Sequence, residues 1–188
     1  MKFVLVLILL NSCSRIAGEL AIMEANFFYS RGETDKAIAA YMHSLDYPEA
    51  VPYAEFGLGV VYLSLEEKSA AFDRFMAAEQ AARDDQQLLY RIRYNTGIIR
   101  FEQGDFEGAI SDFSEALVYD GSSREAKRNL ELSLLSQTYV TQTSTAEEQD
   151  PESITRTTVL FDYLREKERE QWRSQEWNGE SSQTEPDY

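Results

Sequence analysis

The sequence predicts an all-α solenoid of about three helix pairs, followed by a C-terminal capping helix and a separate tail helix. Three observations predict it. Ala37…Tyr41…Ser44, Ala71…Phe75…Ala78 and Ala109…Phe113…Ala116 each place a small, an aromatic and a small residue at i, i+4 and i+7, on one helical face. A further small residue stands twelve positions before each set: Ala25, Gly59 and Gly97. Helices approach closely only where side chains are small, so each unit reads as a helix pair meeting at a small-on-small contact. The four prolines, Pro48, Pro52, Pro151 and Pro186, all fall outside the proposed repeat helices, as expected when proline inside a helix costs about 3 kcal/mol or more. Ala25, Ala37, Tyr41, Gly59, Ala71, Phe75, Gly97, Ala109 and Phe113 are therefore the expected packing residues.

Successive sets are offset by 34 and then 38 residues, and a period near 34 with this signature resembles the tetratricopeptide repeat. The third unit carries the resemblance most fully, with Asn95-Thr96-Gly97, Gln103-Gly104-Asp105-Phe106, Ala109-Ile110, Phe113 and Ala116-Leu117. The second keeps Leu58-Gly59, Tyr62, Ala71, Phe75 and Ala78, but has Glu66 where the turn glycine usually sits. The first keeps Ala25, Phe28, Gly32, Ala37, Tyr41 and Leu45. Glu24 takes a usually apolar slot and Arg100 replaces an aromatic. Ala126 to Leu132 continues the phase of a fourth first helix, so the resemblance covers residues 18–136.

Within and between repeats, the punctuation follows the same logic. Gly32 and Gly104 sit at within-repeat turns, where a residue without Cβ is least strained. Residues 81–87, between the second and third units, hold good helix formers and the four extra residues of the longer period, so helices are expected to lengthen there by about a turn. From 137 to 152 the Thr/Ser-rich and then acidic composition predicts a flexible linker. Helical periodicity returns over 153–177, an amphipathic tail helix, and 178–188 read as a disordered acidic tail.

The first residues point to the cell envelope. Met1-Lys2 is followed by an apolar run from Phe3 to Leu10 and then Asn11-Ser12-Cys13, the layout of a signal peptide over 1–12. As helix the apolar run spans about 12 Å, far short of the roughly 30 Å hydrocarbon core. Leu10-Asn11-Ser12-Cys13 resembles a bacterial lipobox. The resemblance implies cleavage before Cys13, acylation of its thiol by palmitate-type chains and an anchored N-terminus over 13–17. It implies a lipoprotein of the bacterial cell envelope, held on the extracytoplasmic (periplasmic) side of the inner or outer membrane. Two or more acyl chains anchor durably where one does not. Cys13 is the sole cysteine, so no intrachain disulfide forms. A formal charge of −15 over 188 residues repels phosphate backbones, so no nucleic acid partner is expected.

Nothing in the chain reads as a catalytic constellation, and an enzyme is not expected. His43, the one histidine, falls on an outward-turned register. No Cys/His cluster has zinc spacing and no glycine-rich phosphate loop follows a strand. Glu66-Glu67 and Asp84-Asp85 point to different helical faces and read as solvation, so no metal site and no cofactor beyond the covalent lipid on Cys13 are expected. Binding is the expected function.

In the family resembled, first helices line a concave groove. Carried over, that lining is Ile22, Asn26 and Tyr29, then Phe56, Val60 and Leu63, then Tyr94, Ile98 and Phe101. Most of these positions are apolar or aromatic, so the lining either binds a protein or peptide partner or is covered by the chain's own tail helix over 153–177. The basic and amide clamp by which some relatives hold acidic chaperone C-termini would fall on Ile22, Asn26, Gly57, Arg91 and Asn95. Only Asn26 fits, with Arg91 a plausible substitute for lysine, so a chaperone-tail clamp is not expected. Asn129-Leu130-Glu131-Leu132, with Leu160 to Arg165 and Trp172, is similar to repeat proteins of bacterial aerotolerance-type (Bat) systems, which work beside membrane proteins bearing von Willebrand A domains. The resulting expectation is a membrane-anchored scaffold or adaptor. The alternative is a periplasmic transport accessory that binds a hydrophobic small ligand or a solute-binding protein.

Overall fold

A computed structural model describes residues 2–146, with side chains from residue 15 to residue 142. The described residues form seven α-helices and no strand: α1 (Lys2–Ser30), α2 (Thr34–Ser44), α3 (Val51–Ser64), α4 (Lys68–Ala81), α5 (Gln86–Glu102), α6 (Phe106–Tyr119) and α7 (Arg124–Ala146). The chain divides into two units, Met1–Gln137 and Thr138–Tyr188. The first is the solenoid. Its helices pack most extensively within the pairs α1/α2, α3/α4 and α5/α6, and next most extensively at the joints α2/α3 and α4/α5.

The small residues work as packing notches. Ala25, Ala37, Ala71 and Ala109 are buried, as are Tyr41, Phe75 and Phe113. A Cβ on Gly59 would stand 2.6 Å from the Phe75 ring, and one on Gly97 would stand 2.8 Å from Phe113. Tyr41 shares a cluster with Ala25, Ala37, Leu58 and Val61, joining the first two pairs. Phe75 shares another with Phe56, Ala71, Ala78, Leu88, Ile92 and Ile99, joining the second and third.

Turn chemistry closes each pair. Gly32 and Gly104 take positive φ of 70° and 80°, and Glu66 takes 62° at the equivalent turn. Asp85 and Asp105 cap α5 and α6, their carboxylates accepting from the backbone N–H of Leu88 (3.0 Å) and Gly108 (2.9 Å). Pro52 lies in the first turn of α3, where its missing N–H has no helical partner to lose. The extra residues of the longer period lengthen α5 to 17 residues, against 14 in α3.

Two boundaries differ from the sequence expectation. Helix α1 begins at Lys2, so the stretch read as leader, Cys13 and the first repeat lie on one continuous helix. Helix α7 runs on to Ala146, through the first ten positions of the expected linker. The reason is the absence of a breaker: no glycine or proline occurs between Gly121 and Pro151, and each threonine or serine costs a helix less than about 0.7 kcal/mol. The rest of the linker, the tail helix over 153–177 and the tail over 178–188 lie outside the described residues. Among the described residues no helix is long and apolar enough to cross a membrane.

Candidate functional site

The first helices of the three pairs enclose a recess of about 380 Å³, lined from α1 by Ile22, Asn26 and Tyr29, from α3 by Tyr53, Phe56, Gly57 and Val60, and from α5 by Gln87, Leu88 and Arg91. Tyr41 of α2 and Asp85, the cap of α5, complete it. Six expected groove residues thus meet around one space: Ile22, Asn26, Tyr29, Phe56, Val60 and Arg91.

Two features of the recess were not foreseen. Gly57 carries no side chain, and the Tyr41 ring fills the place a Cβ would take, 2.2 Å from its Cε1. Tyr41 reaches through to the recess and donates its hydroxyl to Asn26 Oδ1 at 2.5 Å. Burial pushes the Tyr41 phenol up to about 12, so it stays a donor at any physiological pH. Asn26 has spent its carbonyl oxygen on this bond and keeps its amide N–H groups for another acceptor. Tyr53 donates to Asp85 Oδ2 at 2.7 Å, tying α3 to the start of α5. The Leu88 N–H and then the Tyr53 hydroxyl hold the Asp85 carboxyl below its ordinary range, and the same bond raises the Tyr53 phenol. Sequence reading had no signal for these bonds beyond Asp at a helix start.

Arg91 lays its guanidinium over the Phe56 ring, 4.6 Å from the centroid. It is exposed and is the cationic member of a lining that also holds Ile22, Tyr29 and Val60.

The remaining expected residues are engaged elsewhere. Asn95 donates its amide to the Arg91 carbonyl at 2.7 Å, one turn back on its own helix. Tyr94 stacks on Tyr90 and accepts from Asn129 of α7 at 3.3 Å. Phe101 meets Phe106 edge-on across the turn. Leu63 packs against the core cluster of the second and third pairs, and Ile98 is half-buried. His43 is exposed, edge-on to Tyr47. Among the described residues, no group of three or more His, Cys, Asp or Glu side chains converges on a point that would hold a metal.

No family model and no curated protein matches the chain. Solved structures do. The tetratricopeptide domain of Sgt2 from Aspergillus fumigatus is 21% identical, with a TM-score of 0.57 over 67% of this chain and 82% of that one. The first such domain of Spaghetti (RPAP3), bound to an HSP90 peptide, is 18% identical, with a TM-score of 0.57 over 64% of this chain and 93% of that one. The second such domain of human RPAP3, in complex with an HSP70 peptide, is 18% identical, with a TM-score of 0.52 over 62% of this chain and 97% of that one. The fold is that of a tetratricopeptide-repeat domain.

Across α4, α5 and α6, the tetratricopeptide domain is braced by a charge network that sequence reading missed. Arg93 of α5 pairs with Glu79 of α4 and with Asp112 (3.1 Å) and Glu115 (3.2 Å) of α6, while Arg100 also reaches Asp112, at 3.3 Å. Burial opposes the charge on Arg93, but Glu79, Glu115 and Asp112 outweigh it and raise its pKa. Asp112 is buried. The available signal was Arg100 in a slot where the earlier repeats have Phe28 and Tyr62: a charge there calls for a partner on the facing helix.

Proposed function

We propose that the chain is a membrane-anchored adaptor that binds a protein or peptide segment in the recess between α1, α3 and α5. The observation that carries the reading is the recess itself: apolar Ile22, Phe56 and Val60 together with one cation, Arg91, one carboxylate, Asp85, and one oriented amide, Asn26. Such a lining takes an apolar side chain among polar anchors, the usual division of labour in a peptide site. That domains of the same fold are bound to peptides supports it.

The segment is apolar, not an acidic chaperone C-terminus. Beyond Asn26 and Arg91 the clamp positions hold Ile22, Gly57 and Asn95, and Asn95 is bonded to its own helix. The HSP90 peptide SRMEEVD should therefore give no heat on titration calorimetry; micromolar binding would contradict this.

The anchor is a lipid on Cys13, supported by the lipobox-like Leu10-Asn11-Ser12-Cys13, and the partner belongs to a Bat-type membrane complex. Pull-downs from solubilised membranes, comparing the wild type with Tyr29→Ser/Val60→Ser/Arg91→Ser, test the recess. Tyr29 and Val60 also pack against the two core clusters, so an unchanged helical circular dichroism signal goes with the comparison, and a discrete partner should be lost. Identical partner lists would sink the reading. Cys13→Ser should move the protein into the soluble fraction and abolish labelling by palmitate; a labelled variant would refute the anchor.

A further inference from the structure

Beside the recess lies a second cavity, of about 480 Å³, whose apolar lining is Ile22 and Met23 of α1 with Ala50 and Tyr53 at the entry to α3. It arises from the length of α1. The offset of 34 carries the start of α3, Val51, back to Ala17, yet α1 runs past that point towards Lys2. The helix touches the α2–α3 connection at Gly18, where an added Cβ would stand 3.0 Å from Tyr47 and 3.2 Å from Ala50. Arg15, on the overhanging turn, reaches the cavity as well.

Three charged side chains belong to this lining. Arg15 and Glu19 pair with each other at 3.2 Å and cancel. Glu49 has no ion pair or hydrogen bond among the described residues. The cavity is left with one open carboxylate beside apolar walls. In the recess the open charge is a cation instead: Arg91 lies over Phe56, while both Asp85 oxygens are taken by the Leu88 N–H and the Tyr53 hydroxyl. Ile22 and Tyr53 line both cavities, so the two adjoin.

We infer that the second cavity is a subsite for a lysine or arginine of the same partner segment, its stem against Ile22, Met23 and Ala50 and its charged head at Glu49. The inference rests on the recess holding that segment. A basic side chain has the two parts this lining matches, an aliphatic stem and a cationic tip. An acidic side chain would meet Glu49 as a like charge, and a wholly apolar one would forgo the attraction. In an extended segment, side chains two to four residues apart stand about 7–13 Å apart, which spans adjoining cavities of this size.

The test titrates the full chain with fluorescein-labelled ten-residue peptides, read by fluorescence anisotropy. Each carries a Leu-Phe pair for the recess in a glycine–serine background, with a lysine two, three or four residues to either side. Counterparts carry norleucine or glutamate in place of the lysine. At one spacing the lysine peptide should bind at least tenfold more tightly than both counterparts. Glu49→Gln should abolish that preference and leave the norleucine peptide unchanged, and Glu49→Lys should transfer the preference to the glutamate peptide. Glu107→Gln, exposed on α6, removes the same charge elsewhere and should change nothing. An equal loss on Glu107→Gln would mean attraction by net charge alone and would overturn the proposal. So would a lysine preference that survives Glu49→Gln, or no preference at any spacing. Val60→Ser, in the recess, should weaken every peptide, the norleucine peptide included. If it does so and no lysine preference exists, the subsite alone falls and the recess reading stands. If the norleucine peptide does not bind, or ignores Val60→Ser, the recess reading falls and takes the subsite with it.

Discussion

Gly97 faces Phe113 so closely that an added Cβ would lie 2.8 Å from the ring, with Phe113 itself fully buried. Gly97→Ala should therefore overpack the α5/α6 contact and cost about 1–3 kcal/mol, read as a lowered urea midpoint. Glu66 is the opposite case. Its φ of 62° sits where Gly32 and Gly104 stand in the other repeats, and a side chain in that region costs about 1–2 kcal/mol. Part of that is returned by the greater unfolded-chain entropy of glycine, so Glu66→Gly should stabilise by roughly 0.5–1 kcal/mol. A lowered melting midpoint would contradict this. Both positions were legible in the sequence, because glycine and its replacement at a turn are read from spacing alone. Tyr41 was half legible: the i, i+4, i+7 pattern marks it as core, but its reach to Asn26 depends on Gly57, sixteen residues along on another helix.

Between elements, the second and third repeats solve one problem with opposite charges. Glu55 of α3 pairs with Arg74 of α4 at 3.1 Å, and the residues 38 further on, Arg93 and Asp112, pair at the same distance with the signs exchanged. In the first repeat the corresponding residues are Ala21 and Ala40. Charge at these positions follows no repeated sequence pattern, which is why apolar periodicity passed over it. Removing the buried partner leaves Arg93 and Arg100 short of an acceptor, so Asp112→Ala should cost about 3 kcal/mol in chemical denaturation. The joint between α3 and α5 has its own pH signature. Asp85 has a folded pKa below its unfolded value of about 3.9. Its contribution is therefore present above the unfolded pKa and is lost as pH falls through the folded one. The stability gap between wild type and Asp85→Asn should hold steady from pH 7 to about 5 and close below about pH 4. A gap that widens with acid would reverse the sign argued here.

At the scale of the whole molecule, repeat number, pairing and the lie of the first helices were readable because each unit repeats the same small and aromatic residues. The groove was readable only in its first half. Tyr94 and Phe101 satisfy the same register as Phe56 and Leu63, yet Asn129 of α7 and Phe106 engage them, and a repeat pattern carries no word on what its last unit meets. The linker expectation failed over 137–146 for a related reason: composition marks where a chain lacks core residues, whereas a helix ends where something stops it. Occupancy of the recess in living cells decides whether it is a binding site. A photo-crosslinking amino acid placed at Val60, in the recess, should give one discrete adduct that the same group at Val118, 79% exposed on α6, does not give. No adduct at Val60, or the same adducts at both positions, would contradict it.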